Sequence, residues 1–266
     1  MRRFEGYGVL ITGAGRGIGA ETARRLAGEG ARVLVTDLEE DRAQKVAAGL
    51  REGGATAGAL RCDVAERASV EAAVAHAVRS FGTLDVLVNN AYACHADAPL
   101  FEDESDEVWQ RDLDVTLTGA YRCARAALPH LAAAPGRRGS IVGIGSVNGE
   151  QDFGNHAYSA AKAGLAGLTR TLAGHAAPRG VRVNLVAPGT VRTDAWAGHP
   201  AGLEAAAAHY PLGRVGRPED IAAAVAFLAS ADAAWITGVT LPVDGGILIG
   251  NMGLRRALRG ERGAGG

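Results

Sequence analysis

The chain has almost no lysine. Of its 28 basic side chains, only Lys45 and Lys162 are lysines, and all the others are arginines. Lysine carries a compact charge and can take part in proton transfer, whereas arginine stays protonated and presents a wide, planar group. Lys162 is therefore a candidate functional residue before any motif is considered.

Cysteine is scarce as well. Cys62, Cys94 and Cys123 are odd in number and show no C-x-x-C spacing. This argues against a disulfide framework or a thiolate metal site and favours a reducing, cytoplasmic compartment. None of the seven histidines stands in an H-x-H or H-E-x-x-H arrangement, so we predict no catalytic metal.

Long apolar runs and a strong charge of either sign are missing too. No stretch approaches the roughly 20 apolar residues of a membrane-spanning helix, and the apolar run near the N-terminus is too short for a signal peptide. The formal net charge of −1 gives no electrostatic support for binding nucleic acid or an anionic membrane. We therefore expect a cytoplasmic protein that acts on a small molecule.

The length allows one large domain. The 266 residues contain no linker and no internal repeat, so we expect a single domain over residues 1–266 with enough chain to bury a core. Residues from about 254 onward are rich in arginine and end in glycine, and we expect a flexible tail there.

Short apolar runs alternate with helical patterns along the chain. The runs at 7–12, 31–36, 55–62, 84–88, 140–145, 181–186 and 239–243 predict strands. Helical patterns follow at 19–30, 69–81 and 105–131, around Tyr158, and from Pro218. This alternation predicts an α/β fold, a doubly wound Rossmann-type domain whose parallel sheet has about seven strands and helices on both faces.

A glycine-rich turn, T-G-A-G-R-G-I-G, follows the first predicted strand and opens a helix. Gly13 permits the tight turn, Gly17 lets the backbone approach a pyrophosphate, and Gly19 lets helix and strand pack closely. The helix N-terminus then faces the anion. A strand, a glycine-rich turn and a helix in this order predict a dinucleotide site.

Asp37 ends the second predicted strand, about 20 residues beyond the glycines. A carboxylate at that place can accept hydrogen bonds from the adenosine ribose and would repel a 2′-phosphate, which favours NAD over NADP. Arg16, beside the second glycine, supports NADP instead. We give Asp37 more weight because it would lie against the phosphate itself, although Asp37 could also be a plain turn residue.

Residues 146–162 contain the candidate catalytic groups. Tyr158 and Lys162 lie four residues apart in an Ala-rich helical pattern, so they share one helix face. A nearby ammonium would lower the pKa of a phenol from about 10. Tyr158 could then move a proton to or from a substrate oxygen that the Ser146 hydroxyl holds in place. Y-x-x-x-K also occurs by chance, so the rest of the chain must decide.

Taken together, these motifs resemble the short-chain dehydrogenase/reductase family over nearly the whole chain. The matching pieces, in order, are Thr12-Gly13 with Gly17 and Gly19, Asp63-Val64, Asn89-Asn90-Ala91, Ser146, Tyr158 with Lys162, Pro188-Gly189 with Thr193, residues 216–220, and residues 244–246. Each piece alone is moderate support, and their order and spacing make the resemblance strong.

The resemblance implies an NAD(P)-dependent oxidoreductase that moves a hydride between nicotinamide and a carbonyl or secondary alcohol. It makes Tyr158 the general acid/base, with Lys162 lowering its pKa and holding the nicotinamide ribose, and Ser146 orienting the carbonyl. The implied cofactor-binding positions are Thr12, Gly13, Gly15, Arg16, Gly17, Ile18, Gly19, Asp37, Asp63, Val64, Asn90, Ala91, Tyr158, Lys162, Pro188, Gly189, Val191 and Thr193.

Two positions depart from the family pattern. Thr116 stands where the family usually has an Asn that holds a water of the proton relay, so a bridging water or slower catalysis is expected. Tyr92 replaces the glycine that usually follows Asn-Asn-Ala. It could line the cleft, but we expect it to pack beside the sheet.

Substrate specificity is expected in a lid at about 190–212, which contains Trp196. Asn148, Gln151, His156, His95 and Tyr92 could also reach the pocket, which favours a polar substrate. The glycines and alanines around Tyr158 indicate close helix contacts, and relatives pair this helix across a two-fold axis, so we expect a homotetramer or a homodimer.

Two alternatives remain open. One is an NADPH-dependent 3-oxoacyl-thioester or polyketide-type ketoreductase, which Arg16 permits. The other is a non-catalytic NAD(P)-sensing protein, for which Thr116 is the only support.

Overall fold

The computed structural model describes residues 2–196, 198, 200–250 and 258. In this part of the chain seven parallel strands form one sheet in the order β3-β2-β1-β4-β5-β6-β7. The strands are β1 Gly8–Ile11, β2 Arg32–Asp37, β3 Ala57–Arg61, β4 Val86–Asn89, β5 Ser140–Ile144, β6 Arg182–Pro188 and β7 Thr240–Val243. The predicted fold class and strand number are confirmed.

Helices connect the strands and cover the sheet. They are α1 Gly17–Gly28, α2 Glu40–Glu52, α3 Arg67–Phe81, α4 Asp106–Leu113, α5 Gly119–Ala132, α6 His156–Ala176, α7 Pro200–Ala207 and α8 Pro218–Ala229. Among the described residues no helix is both long enough and apolar enough to cross a membrane.

The strands are apolar throughout because both faces of the sheet are buried. In β1, Val9 packs into a core with Leu26 of α1 and Leu228 of α8, whereas the next residue, Leu10, belongs to a second core. That second core contains Val74 of α3 and Leu128 of α5. Successive side chains point to opposite faces of a strand, so the sheet separates two helix layers.

Helix α2 was not predicted from the sequence, although its signal is present. Ala43, Val46, Ala47 and Leu50 are its buried residues, and their spacing of three, four and seven residues is that of one helix face. Helix α7 was missed as well, since the segment 190–212 was predicted only as a lid. Most of the predicted tail from residue 254 lies outside the described residues.

The helix predicted at 105–131 is present with one irregularity. Ser105 caps α4 by accepting a hydrogen bond from the Val108 N–H at 3.3 Å. Between α4 and α5 the chain forms a π-helical segment, Asp114–Thr118. Such widened turns commonly occur at functional sites, and this one contains Thr116.

The strand order reverses between β1, which starts the chain, and β4 beside it. At such a switch point the loops after neighbouring strands leave in opposite directions and open a crevice at the carboxyl ends. Most of the candidate residues follow strand ends or lie on the helices beside them, so the fold brings them to this crevice.

Candidate active site

A cleft of about 1730 Å³ lies at the carboxyl edge of the sheet. Most of the sequence-predicted residues line it: Gly13, Arg16, Gly17, Ile18, Asp37, Asp63, Val64, Asn90, Ala91, Ser146, Tyr158, Lys162, Pro188, Gly189, Val191 and Thr193. Four of the predicted residues are not part of this lining and contact the residues that form it: Thr12, Gly15, Gly19 and Thr116. The structure therefore brings together residues that are up to about 180 positions apart.

The glycine-rich turn is shaped by contacts that leave no space for side chains. Gly13 and Gly17 have positive φ values of 60° and 55°. A Cβ on Gly19 would lie 2.6 Å from the Asn90 Nδ2 and 2.6 Å from the Gly13 carbonyl oxygen. Because of these close approaches, the N-terminus of α1 opens directly onto the cleft, as a pyrophosphate site requires.

Asn90 and Thr12 join the glycine-rich turn to the end of β4. The Asn90 amide donates to the carbonyl oxygens of Thr12 at 3.0 Å and Gly13 at 2.7 Å. The Thr12 hydroxyl accepts from the N–H groups of Asn90 and Ala91 at 3.0 and 3.1 Å. Asn90 was predicted to support the cofactor ribose, and in the structure its side-chain nitrogen is engaged in holding the loop.

Asp37 lies at the end of β2 and is buried against the same turn. Its carboxylate accepts hydrogen bonds from the Gly15 N–H at 2.9 Å and the Glu39 N–H at 3.1 Å. These two contacts fix the carboxylate at the wall of the cleft, while each oxygen retains a further lone pair for a ligand hydroxyl. Arg42 of α2 also lines this part of the cleft, and its Cβ would lie 2.6 Å from a Cβ on Gly15.

Asp63 and Val64 follow β3 and line the cleft on the far side of Asp37. The Asp63 carboxylate accepts from the Ala65 N–H at 2.9 Å, and its own N–H donates to the Ser69 hydroxyl at 3.0 Å. Val64 packs so closely on α5 that a Cβ on Gly119 would lie 2.8 Å from it. The loop after β3 is thus held in one position.

Ser146, Tyr158 and Lys162 meet on one wall of the cleft. Ser146 follows β5, and its hydroxyl donates to the Asn148 side-chain oxygen at 3.0 Å. Lys162 lies one helical turn beyond Tyr158 on α6, with its Nζ 5.2 Å from the centre of the Tyr158 ring. The ammonium donates to the Ile144 carbonyl oxygen at 2.6 Å and is only 3% exposed.

Burial moves the pKa values of this pair in opposite directions. It lowers the pKa of Lys162 to about 7, with a small opposing effect of the Cys94 thiol. It raises the pKa of Tyr158 above the usual 10.0, against a hydrogen bond with Ser146. Burial is the largest cause of the rise at Tyr158, since loss of water disfavours the charged phenolate. The expectation that Lys162 lowers the pKa of Tyr158 stays a prediction.

Thr116 is fully enclosed in the π-helical segment. Its hydroxyl donates to the Ala93 carbonyl oxygen at 3.1 Å and accepts from the Ala93 N–H at 3.0 Å. The side chain is 1% exposed. Both hydrogen bonds tie α4 and α5 to the loop after β4, so Thr116 acts on the shape of the cleft from behind its lining.

Tyr92 lines the cleft, so the expectation that it packs beside the sheet is wrong. Its ring meets the Tyr158 ring edge to face, with 5.9 Å between centres and 64° between planes. The Lys162 Nζ lies 5.6 Å from the Tyr92 ring centre. The side chain is 49% exposed, because the loop after β4 leaves the sheet at this point and turns toward α6.

The loop after β6 completes the cleft. A Cβ on Gly189 would lie 3.0 Å from the Tyr210 ring, and the Tyr210 hydroxyl accepts from the Thr190 N–H at 2.7 Å. Val191 pairs with Gly216 in a short parallel bridge. Residues 190–192 are therefore anchored, and the part of the predicted lid beyond them contributes Trp196 to the cleft.

Several cleft residues were not found from the sequence. These are Leu38, Arg42, Cys94, Trp109, Gln110, Phe153 and Ile247, whereas His209 and Tyr210 belong to the predicted lid. Arg42 could have been found from the pattern of α2, five residues beyond Asp37. The others lie on loops and helices that only the tertiary fold brings to the cleft.

The five polar residues that favoured a polar substrate separate into two groups. Asn148 and Tyr92 line the cleft, whereas Gln151, His95 and His156 lie outside its lining. The Asn148 amide donates to the Gly154 carbonyl oxygen and the Ser159 hydroxyl, so it serves the local scaffold. The basis for predicting a polar substrate is thereby reduced.

One potential ligand atom each of Asp97, Glu104 and His156 lies within 4.8 Å of the others, outside the cleft lining. The Asp97 carboxylate accepts from the N–H groups of Asn155 and His156 at 2.7 and 2.8 Å, and the Glu104 carboxylate accepts from the Ala98 N–H at 2.9 Å. These hydrogen bonds account for the positions of the two carboxylates, and the prediction of no catalytic metal stays a prediction.

Comparisons with known proteins agree on one family. The family model described as Enoyl-(Acyl carrier protein) reductase matches residues 13–248. A cis-4-hydroxycyclohexanecarboxylate dehydrogenase of Sinomonas cyclohexanicum is 46% identical over 239 residues, which cover 89% of this chain and 94% of that protein. The 3-oxoacyl-(acyl-carrier-protein) reductase FabG of Escherichia coli is 41% identical over 92% of this chain and 98% of that protein.

A solved structure shares the whole architecture. The crystal structure of gox2181 has a TM-score of 0.87 at 34% identity and covers 93% of this chain and 98% of its own. Together with the glycine-rich turn and the Ser, Tyr and Lys side chains of the cleft, these comparisons leave one assignment. The chain belongs to the short-chain dehydrogenase/reductase family and is an oxidoreductase that transfers a hydride between a nicotinamide cofactor and an alcohol or ketone.

Proposed function

We propose that this enzyme is an NAD-dependent dehydrogenase of a secondary alcohol, with Tyr158 as its general acid/base. The observation that carries the proposal is the meeting of Ser146, Tyr158 and Lys162 on the wall of a cleft whose other end presents Asp37. One end of the cleft has groups that handle protons, and the other has a carboxylate suited to ribose hydroxyls.

The residues of the cleft fit a dinucleotide. The positive φ values of Gly13 and Gly17 and the crowding at Gly19 keep the backbone free for close approach of a pyrophosphate. We assign the pyrophosphate to the turn at residues 13–19, the adenine to Asp63 and Val64, and the nicotinamide half to Lys162, Gly189, Val191 and Thr193. The bound nicotinamide would supply or accept the hydride.

Tyr158 provides the proton at the substrate oxygen. Because its pKa is raised above 10.0, the phenol is protonated near neutral pH and is ready to donate to a carbonyl oxygen. In the reverse direction it takes the alcohol proton. Ser146 holds that oxygen by a hydrogen bond, and Lys162 contributes a positive charge beside the phenol whenever it is protonated.

Asp37 supports NAD over NADP. Its carboxylate is fixed by two backbone N–H groups, and at that place it can accept from the ribose 2′-hydroxyl and repel a 2′-phosphate. Arg16 and Arg42 line the same end of the cleft and are exposed. They favour the second candidate, an NADPH-dependent 3-oxoacyl-thioester reductase, which the likeness to the Escherichia coli enzyme also supports.

Separate titrations with NADH and NADPH, followed by nicotinamide fluorescence and thermal shift, distinguish the two candidates. We expect NADH to bind at least about tenfold more tightly, which corresponds to about 1.4 kcal/mol. Asp37→Ala should reduce this preference, whereas Asp41→Ala, at an exposed position of α2, should leave it unchanged. Tighter binding of NADPH would move the ketoreductase to first place. Binding of neither would contradict the cofactor site.

A non-catalytic sensing role is disfavoured, because the relatives are named as a dehydrogenase and a reductase. A cytoplasmic location is supported by the three cysteines, all of which are free thiols. The lid role of the segment beyond residue 192 is supported by Trp196, which is half-exposed in the cleft.

We propose a homotetramer or a homodimer. The support comes from fewer positions of α6 than the sequence indicated. Gly164 of α6 packs within the chain, since a Cβ there would lie 2.7 Å from Leu117 of the π-helical segment. Gly167 and Gly174 of the same helix have no such neighbour within 4 Å, and these positions leave space for a second copy. A single monomeric mass by light scattering would contradict the proposal.

A further inference from the structure

Aromatic residues are scarce in this chain, and they concentrate in the cleft. Aromatic side chains make up 5% of the sequence. Six of the thirteen line the cleft: Tyr92, Trp109, Phe153, Tyr158, Trp196 and Tyr210. A cleft so lined offers apolar surface and ring edges around the catalytic tyrosine, which is the surface that the ring of a substrate would contact.

Tyr92 is the aromatic residue with the most specific placement. Its ring meets the Tyr158 ring edge to face at 5.9 Å, and about half of its surface stays exposed. An edge-to-face contact sets the angle between the two rings. The two tyrosines therefore form a corner of ring surface in the lining of the cleft.

The backbone on both sides of Tyr92 is held by hydroxyl groups. The N–H of Ala91 donates to the Thr12 hydroxyl at 3.1 Å. The N–H and the carbonyl oxygen of Ala93 both bind the Thr116 hydroxyl, at 3.0 and 3.1 Å. Tyr92 thus lies between two fixed neighbours, and the two positions that depart from the family pattern are in fact adjacent parts of one arrangement.

We propose that Tyr92, held in place through Thr116, is a specificity-determining residue that selects ring-bearing secondary alcohols and their ketones over open-chain ones. This inference rests on the proposed function, since it names the substrate class of the same cleft. A ring carbon bearing the reacting oxygen would fit into the corner of Tyr92 and Tyr158. An open chain of equal carbon number must give up more rotational freedom to make the same contact.

The test compares cyclohexanol with 3-hexanol, which have the same number of carbon atoms, with NAD as cofactor. Wild-type enzyme should have a higher kcat/KM for cyclohexanol. Tyr92→Ala should reduce the ratio of the two kcat/KM values by about 2- to 10-fold, mainly through the KM for cyclohexanol. Tyr92→Phe should retain the ratio, because the ring rather than the hydroxyl makes the contact.

The role of Thr116 is tested by two variants. Thr116→Val removes both hydrogen bonds to Ala93 and should shift the ratio in the same direction as Tyr92→Ala, by less. Thr116→Ser keeps the hydroxyl and should restore the ratio. Phe227→Leu, at an aromatic position on α8 outside the cleft lining, serves as the control that leaves the ratio unchanged.

Two outcomes would overturn the inference. One is a ratio that does not change in Tyr92→Ala, and the other is an equal loss of kcat with both alcohols, which would indicate a general structural role. A binding experiment separates failure of this inference from failure of the proposed function. In the Tyr158→Phe variant, with and without Tyr92→Ala, binding of cyclohexanone and of 3-hexanone is compared by ligand-observed NMR with NADH present. A preference for cyclohexanone that depends on Tyr92 there would support the inference even if the wild-type enzyme turned over neither alcohol. No such preference there would overturn it.

Discussion

The two ends of the same three strands are built in opposite ways. At the amino ends of β1, β4 and β5, the buried carboxylate of Asp85 accepts from the Gly8 N–H at 2.7 Å, the Thr83 hydroxyl at 3.2 Å and the Arg138 Nε at 2.7 Å. Arg138 in turn lies over the Tyr7 ring at 4.2 Å. Each oxygen of the Asp85 carboxylate therefore has a donor, so this cluster stabilises the fold.

The carboxyl ends of those strands carry Thr12, Asn90 and Ser146 and open onto the cleft. There the side chains of Thr12 and Asn90 hold loops in place. Lys162 is buried beside the Ile144 carbonyl oxygen and the rings of Tyr92 and Tyr158, and it has no carboxylate partner among the described ion pairs. A buried cation without a counter-charge lowers stability. The comparison teaches that the hydrogen bonds at the amino end stabilise the fold and offset the cost of burying Lys162 at the carboxyl end.

The largest effect should come from the carboxyl end. Tyr158→Phe removes the proton-transferring hydroxyl and keeps the ring, so we expect kcat to fall about 10²- to 10⁴-fold with little change in melting temperature. Steady-state kinetics and thermal denaturation check this. Tyr121→Phe, at an exposed position of α5, should change neither. Retained turnover in Tyr158→Phe would exclude it as the acid/base.

The next largest effect should come from the amino end. Asp85→Ala leaves Arg138 without its partner and should lower the free energy of unfolding by about 3 kcal/mol, as measured by urea denaturation. The dissociation constant for NADH should not change. Asp232→Ala, which breaks an exposed contact with Arg3, should cost less than about 1 kcal/mol. An equal loss in both variants would contradict the proposed difference between the two ends.

A smaller effect should appear in both stability and NADH binding. In Gly19→Ala the new Cβ meets the Asn90 amide and the Gly13 carbonyl at 2.6 Å, and overpacking of this kind costs about 1–3 kcal/mol. Because Asn90 holds the glycine-rich turn, NADH should also bind more weakly. Gly28→Ala on the same helix has no atom within 4 Å of the new Cβ and should affect neither measurement.

The smallest effect concerns pH. Folded Lys162 has its pKa lowered to about 7, and in the unfolded chain the value is near 10.5. The unfolded chain therefore holds this proton between pH 7 and 10.5 while the folded protein releases it, so stability rises with pH in that window. Below about pH 7 the folded protein keeps the proton, so the full cost of burying the ammonium lowers the free energy of unfolding.

Urea denaturation of the wild type and of Lys162→Met between pH 7 and 8.5 measures this contribution. The advantage of the variant at pH 7 should shrink by up to about 1.4 kcal/mol for each pH unit. Lys45→Met, at an exposed position of α2, should show no such trend. A constant difference between Lys162→Met and the wild type across the window would indicate that Lys162 keeps its proton.

The sequence by itself determined the fold class, the approximate strand positions and the motif residues that line the cleft. Strands buried on both faces are apolar throughout, so the runs at 7–12 and 84–88 could be recognised without neighbours. The spacing of Tyr158 and Lys162 is a property of one helix, and Gly13 and Gly17 follow from the local backbone geometry of the turn. Local physics was enough for each of these.

The tertiary structure alone decided what depends on distant neighbours. It turned Tyr92 into the cleft, because Thr116, 24 positions away in the sequence, holds the adjacent backbone. It gave Tyr158 a raised pKa, since the loss of water around a side chain depends on every element packed against it. It explained Gly164 by contact with Leu117 of the same chain. Burial and contacts between separate segments are properties of the packed molecule, and no local pattern in the sequence encodes them.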